Sequence, residues 1–199
     1  MINHKPCRFR IPAYTLWLCL AAPSLCYANI GVPMIFVTLP MMVVALLPII
    51  IIETVLATPY LKIPFRFLLR LIARANLFST FVGIPITWFL LVVLERASGG
   101  GGASNLNVPE SRLLAVTRDA PWLVPYEKQL FWMVPTAQLV LLIPFFFASW
   151  WVEYFIIRRD IFNTDWDTDK RTIRRAVRNI NFVSYSGLAI YILVRMYLR

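Results

Sequence analysis

Residues Val32–Ala57 form one apolar run whose only charged side chain is Glu53. About 20 apolar residues carry a helix across the hydrocarbon core of a bilayer. A run of this length with no polar face cannot be the amphipathic helix of a soluble domain. Leu130–Ile157 repeats the pattern, with Glu153 as its only charge. A weaker apolar stretch follows each. Leu77–Leu94 is at the short end for a span, and Phe182–Leu198 is interrupted by Ser184, Ser186 and Arg195. Over the whole chain 59% of residues are hydrophobic and 15% charged, against roughly a quarter charged in an ordinary soluble domain. The sequence therefore predicts an all-α polytopic membrane protein. Its four transmembrane helices, about 32–57, 77–94, 130–157 and 182–198, would pair as two hairpins.

Residues 1–28 have a different layout. Lys5, Arg8 and Arg10 precede the short apolar stretch Leu16–Ala22, and Pro23 and Ser24 then break it before Cys26-Tyr27-Ala28. This is the pattern of a secretory signal peptide, and cleavage after Ala28 leaves one four-span domain, residues 29–199. The alternative for 1–28 is an uncleaved signal anchor, which would be a fifth helix. A lipoprotein signal is not expected, because Leu18 and Leu25 precede Cys19 and Cys26 where a small residue is required. Cys7, Cys19, Cys26 and the single histidine, His4, all lie in this segment. A chain starting at Asn29 has no disulfide, thiol chemistry, His or Cys metal site, or His-ligated haem. Imidazole acid–base catalysis is excluded for it too, and no cofactor is expected.

Positive charge in the connections sets orientation. Connection 58–76 has Lys62, Arg66, Arg70 and Arg74 and no acid. Connection 158–181 has Arg158, Arg159, Lys170, Arg171, Arg174, Arg175 and Arg178. In 95–129 the four bases Arg96, Arg112, Arg118 and Lys128 are balanced by four acids. Connections 58–76 and 158–181 are expected in the cytoplasm, and 95–129 outside. Trp122, Tyr126 and Trp132 would mark the outer end of the third span, and Trp150, Trp151 and Tyr154 its inner end. Ser98–Gly102 reads as a flexible tether. Asn107-Val108-Pro109-Glu110 reads as the start of a helix running to about Asp119 on the outer surface. No asparagine starts an Asn-x-Ser/Thr acceptor, which fits a bacterial inner membrane better than a secretory-pathway membrane.

The two halves share a polar layout. Glu53 and Glu153 each lie four residues before the end of their span. Pro40/Pro48 and Pro135/Pro144 punctuate the odd spans, and a basic connection follows each. Asn76-Leu-Phe-Ser79 and Asn181-Phe-Val-Ser184 then open the even spans, with Gly83 and Gly187 beyond them. Both odd spans run in the same direction, so duplication would make this a parallel repeat. An acid inside a span costs a few kcal/mol, about 2.5–3.5 for Asp on an insertion scale, and normally has a partner. Glu53 with Asn76 and Ser79, and Glu153 with Asn181 and Ser184, are read as two clamps, one in each hairpin. The sharper reading of these six residues is a proton, cation or lipid-headgroup site.

Lys62, Arg66, Arg70 and Arg74 recur every four residues, one stripe of a helix. With Phe65, Phe67, Leu68, Leu69, Leu71 and Ile72 on the other faces, they predict an in-plane amphipathic helix at the cytoplasmic surface. Arg171, Arg174, Arg175 and Arg178 predict a second. Both stripes suit anionic lipid headgroups or an acidic protein partner. Nucleic acid is not expected, because no folded binding module accompanies the charge. Asp165, Asp167 and Asp169 resemble the opening of a calcium loop, but Lys170 replaces its glycine and Ala176 its bidentate Glu. They are read as charge at a helix start, and no metal is expected. No phosphate-binding glycine loop or serine elbow is present.

The leading functional reading is a non-enzymatic accessory or assembly subunit of an inner-membrane complex, with a protein partner in the membrane. The second is a small transporter or ion-conducting protein using Glu53 and Glu153. A lipid-modifying enzyme ranks below both. Two outcomes test the layout. Intact mass should place the mature N-terminus at Asn29. In a cysteine-free background, Ser104→Cys should label with an impermeant thiol reagent from outside and Thr168→Cys only after lysis. Labelling of both from one side overturns the four-span topology.

Overall fold

The computed structural model describes residues 32–100, 106–123, 129–164, 166 and 168–198. The whole of the 1–28 segment lies outside the described residues, as do Tyr126, Asp165 and Asp167. In chain order the elements are β1 (Val32–Pro33), α1 (Met34–Leu61), α2 (Phe65–Phe78), a π-helical turn (Ser79–Gly83), α3 (Ile84–Ala97), α4 (Pro109–Val116), β2 (Trp122–Leu123), α5 (Leu130–Phe162) and α6 (Lys170–Tyr197). Four helices are long and apolar enough to cross a membrane: Met34–Leu61, Phe65–Ala97 through the π turn, Leu130–Phe162 and Lys170–Tyr197. The chain is a multi-pass membrane protein.

Both basic stripes differ from expectation. Among the described residues neither connection has a separate in-plane helix. Lys62 closes α1 in the left-handed conformation, its N–H bonded to the Thr58 carbonyl. Ile63-Pro64 follows, and proline disfavours helix in the residue before it. No breaker lies between Phe65 and Phe78, and the π turn Ser79–Gly83 carries the helix past Gly83 and Pro85 to Ala97, so Arg66, Arg70 and Arg74 occupy the first turns of the second long helix. Arg171, Arg174, Arg175 and Arg178 likewise open α6, which Asp169 caps by accepting from the Arg171 N–H at 3.1 Å. A 33-residue helix is about 50 Å long against a hydrocarbon core of about 30 Å. Its basic end therefore has length to spare beyond the core.

The 95–129 connection also differs. Val108, not Asn107, holds the cap position of α4, which ends at Val116. Most of α4 is exposed, with Leu113 at 63% and Leu114 at 40%, but the described residues on either side of it are anchored in the bundle. Leu106, Val116, Ala120 and Leu123 are buried in one apolar cluster with Met34, Met42, Met133, Phe145, Leu188 and Ile192. Val32 pairs with Leu123, and Pro33 with Trp122, in a two-residue antiparallel ladder. Trp88 donates to the Pro121 carbonyl at 2.8 Å. Val116 at the end of α4 and Leu123 of β2 are the anchors, while Leu113 and Leu114 of α4 stay exposed.

A second apolar cluster lies towards the other end: Ala57, Leu61, Leu68, Ile72, Ile157, Ile161, Ile173, Val177 and Ile180 among its members. Arg74 is ion-paired with Asp160, tying α2 to α5. Gly83 allows a close approach beside the π turn. A Cβ there would meet Val152 Cγ2 at 3.6 Å, ordinary van der Waals contact for one methyl and no more. Gly83→Ala should change stability by less than about 1 kcal/mol. Gly83→Leu should cost about 1–3 kcal/mol by pushing this helix from α5. Thermal unfolding in mild detergent measures both, and equal effects would contradict the close approach.

Candidate functional site

The polar centre lies between the two apolar clusters, and its residues come from all four long helices. Glu53 of α1 and Glu153 of α5 are each 1% exposed, shielded by protein from water and lipid alike. Glu53 Oε2 accepts from Asn76 Nδ2 at 2.6 Å, and Glu53 Oε1 accepts from Ser184 Oγ at 2.7 Å. Glu153 Oε2 accepts from Asn181 Nδ2 at 2.6 Å, and Glu153 Oε1 accepts from Ser79 Oγ at 2.9 Å. All six residues named from the sequence therefore meet in one place. They do not form two separate clamps. Each carboxyl takes its amide from the following long helix and its hydroxyl from the other half of the chain. The serines are exchanged, and the exchange is reciprocal.

Local structure explains how the chain reaches this arrangement. Asn76 and Asn181 each turn a second amide hydrogen to the carbonyl four residues back, Ile72 at 3.2 Å and Val177 at 3.1 Å. This fixes each side chain along its helix, with its other N–H turned towards the neighbouring carboxyl. Ser79 begins the π turn, three residues beyond Asn76, and that spacing places it on the same helix face. π-helical turns inside α-helices occur frequently at functional sites.

Sequence reasoning missed Ser149, Tyr185 and Thr80. Ser149 Oγ and Tyr185 Oη are hydrogen-bonded at 2.8 Å, and Tyr185 also donates to the Phe145 carbonyl at 3.1 Å. With Thr80 they line a cavity of about 20 Å³ that also touches Glu53, Asn76, Ser79, Glu153 and Ser184. That volume accommodates about one water. The signal was present in the spacing: Ser149 precedes Glu153 by four residues, Thr80 follows Asn76 by four, and Tyr185 adjoins Ser184.

No cation lies among these hydrogen-bond partners. The basic residues sit elsewhere, with Lys62, Arg66, Arg70, Arg74, Arg171, Arg174, Arg175 and Arg178 all exposed. Arg174 lies over the rings of Trp150 and Trp151 at 5.5 and 5.6 Å. Arg158 lies over Tyr154 and Phe162, each at 5.9 Å. These contacts gather cations and aromatic rings at one end of the bundle. Among the described residues no group of three His, Cys, Asp or Glu is placed to hold a metal.

No protein family, curated protein or solved structure matches the chain. The reading of the site rests on its own geometry.

The exchange between halves is measurable by a double-mutant cycle on Glu53→Ala and Ser184→Ala. A coupling of about 0.6 kcal/mol is expected, with about 1.7 kcal/mol as the upper range for membrane hydrogen bonds. Glu153→Ala with Ser79→Ala should behave alike. Strict additivity in both cycles would show that the serines are not exchanged.

Proposed function

We propose that this protein is a small proton-linked transporter or ion-conducting protein of the membrane, with Glu53 and Glu153 as the proton-carrying pair. The observation that carries this reading is that two buried carboxyls share one water-poor layer with no cation among their partners. Two ionised carboxylates in such a place are strongly unfavourable, because each is desolvated and they repel. One proton on the pair removes the repulsion and the desolvation cost of one of the two carboxylates. Two separate structural clamps would have no need of a like-charged pair, and Gln would serve the same hydrogen bonds.

Ser79 supplies a way to hold the proton. Its hydroxyl lies 2.9 Å from Glu153 Oε1 and 3.1 Å from the Asn76 carbonyl. With Glu153 ionised, the hydroxyl donates to the carboxylate. With Glu153 protonated, the acid donates to Ser79 Oγ, and the hydroxyl turns to the Asn76 carbonyl. The same heavy-atom positions serve both states. The adjoining cavity has room for one water to deliver or accept the proton.

The basic ends of α2 and α6 support a cytoplasmic placement for those ends and an external one for 95–129. They would rest among anionic headgroups there. A bacterial inner membrane is the setting that fits the absence of glycosylation acceptors. A second reading, an accessory or assembly subunit, is favoured by the full occupancy of all four carboxyl oxygens, as expected of a rigid scaffold.

Purified protein in vesicles containing a pH-sensitive dye separates the two. The wild type should move protons, while Glu53→Gln and Glu153→Gln fall to the level of empty vesicles and keep their thermal stability. No flux from the wild type, together with a membrane partner that co-purifies with wild type and Gln variants alike, supports the scaffold and overturns the transporter.

A further inference from the structure

A second acidic site lies at the end of the bundle that carries the β ladder. Glu95, in the last turn of α3, is 4% exposed. Its Oε2 is buried and has no hydrogen-bond partner. A lone buried acceptor of this kind normally costs about 1–3 kcal/mol or more, so a donor is called for. Asp119 stands beside it. A Cβ built on Gly100 would lie 2.7 Å from Glu95 Cγ and 2.8 Å from Asp119 Oδ1, so the two acids flank a single backbone position. Asp119 is already engaged: Arg118 Nε donates to its Oδ1 at 2.9 Å and Nη2 to its Oδ2 at 3.5 Å. Arg118 neutralises one acid and leaves the other without a counter-ion among its hydrogen bonds.

Glu95, Ser98, Thr117 and Arg118 form the polar end of a groove of about 580 Å³. The rest of its lining is apolar, with Leu91 and Leu94 on α3, Val140, Leu141 and Ile143 on α5, and Pro121 between them. The two hydroxyls are turned to backbone, Ser98 to Glu95 O and Thr117 to Leu113 O. The polar groups left for a ligand are the Glu95 carboxylate and the spare N–H donors of Arg118. Volumes of about 300–1,000 Å³ with mainly apolar walls and few polar groups are typical of small-molecule sites.

We propose that this groove binds an aminophospholipid. Its primary ammonium would donate to Glu95, its phosphate would face Arg118, and one acyl chain would lie against Leu91, Leu94 and Ile143. The match is one of charge and shape together. A zwitterionic head needs an acid and a base a few ångströms apart, and the chain needs a dry wall running from the boundary into the bilayer. An anionic lipid without an amine, such as phosphatidylglycerol, would leave Glu95 without an ammonium partner. A choline lipid has no N–H to give it. The inference is independent of the proton reading, because it uses none of the central residues.

Native mass spectrometry of the full chain, released from detergent with defined lipid, tests it. Phosphatidylethanolamine should be retained over phosphatidylcholine of the same chains by about tenfold, the worth of one hydrogen bond to a charged group. Retention should decline stepwise through the N-methyl and N,N-dimethyl lipids as donors are lost. Glu95→Leu, which removes the acceptor, should abolish the preference, and Arg118→Gln should weaken retention of ethanolamine and choline lipids alike. An ethanolamine lipid with a photoactivatable acyl chain should cross-link to residues 84–97 and 130–144. Equal retention of the ethanolamine and choline lipids by the wild type overturns the proposal. So does a preference that survives in Glu95→Leu, or cross-linking confined to other segments.

Discussion

Everything else in this bundle is arranged around two carboxyl groups that have no cation beside them. Glu53 and Glu153 are buried in protein, and each is satisfied by one amide and one hydroxyl. An apolar cluster lies to either side, one around Phe145 and Leu188 and the other around Ile72 and Ile173. Sliding any long helix by one turn would carry an acid, an amide or a hydroxyl into one of those dry layers. The loss of its partner in a low dielectric makes such a slip costly. Apolar packing among membrane helices tolerates many registers, because lipid is as apolar as leucine. The polar layer selects one.

The exchange of serines gives the layer its second property. If each half satisfied its own acid, the two halves could separate without breaking a hydrogen bond of the polar layer. Because Ser184 serves Glu53 and Ser79 serves Glu153, any separation removes a donor from both acids. A change in the proton state of one carboxyl is therefore felt by both halves. That coupling is what an ion-linked conformational change requires: a bistable contact whose equilibrium the bound proton biases. The π turn at Ser79–Gly83 sits where such a contact would move.

Much of this was legible from residue order. The runs 32–57 and 130–157 announced membrane helices because no soluble helix has so few polar residues. The matched Glu and Asn-x-x-Ser positions identified the polar layer. The partner exchange was not legible, since spacing within one hairpin says nothing of which half a serine faces. Arg66–Arg74 and Arg171–Arg178 suggested separate surface helices, because charge periodicity looks the same whether or not a helix continues. Continuity was decided by the lack of a breaker between Phe65 and Phe78 and by the π turn that carries the helix past Gly83 and Pro85. Glu95 and Asp119 were hidden in a connection whose four acids and four bases cancel in any count of charge. Only the placement of residues 95–100 and 106–123 distinguishes Asp119, paired with Arg118, from Glu95, whose Oε2 has no hydrogen-bond partner.

The central claim is that the pair in the polar layer holds an exchangeable proton. Infrared difference spectroscopy of the reconstituted protein at neutral pH addresses it directly. The wild type should display a protonated carboxyl C=O band that shifts in D₂O and is diminished in both Glu53→Gln and Glu153→Gln. Only ionised carboxylate bands in the wild type, unchanged by either substitution, would contradict it.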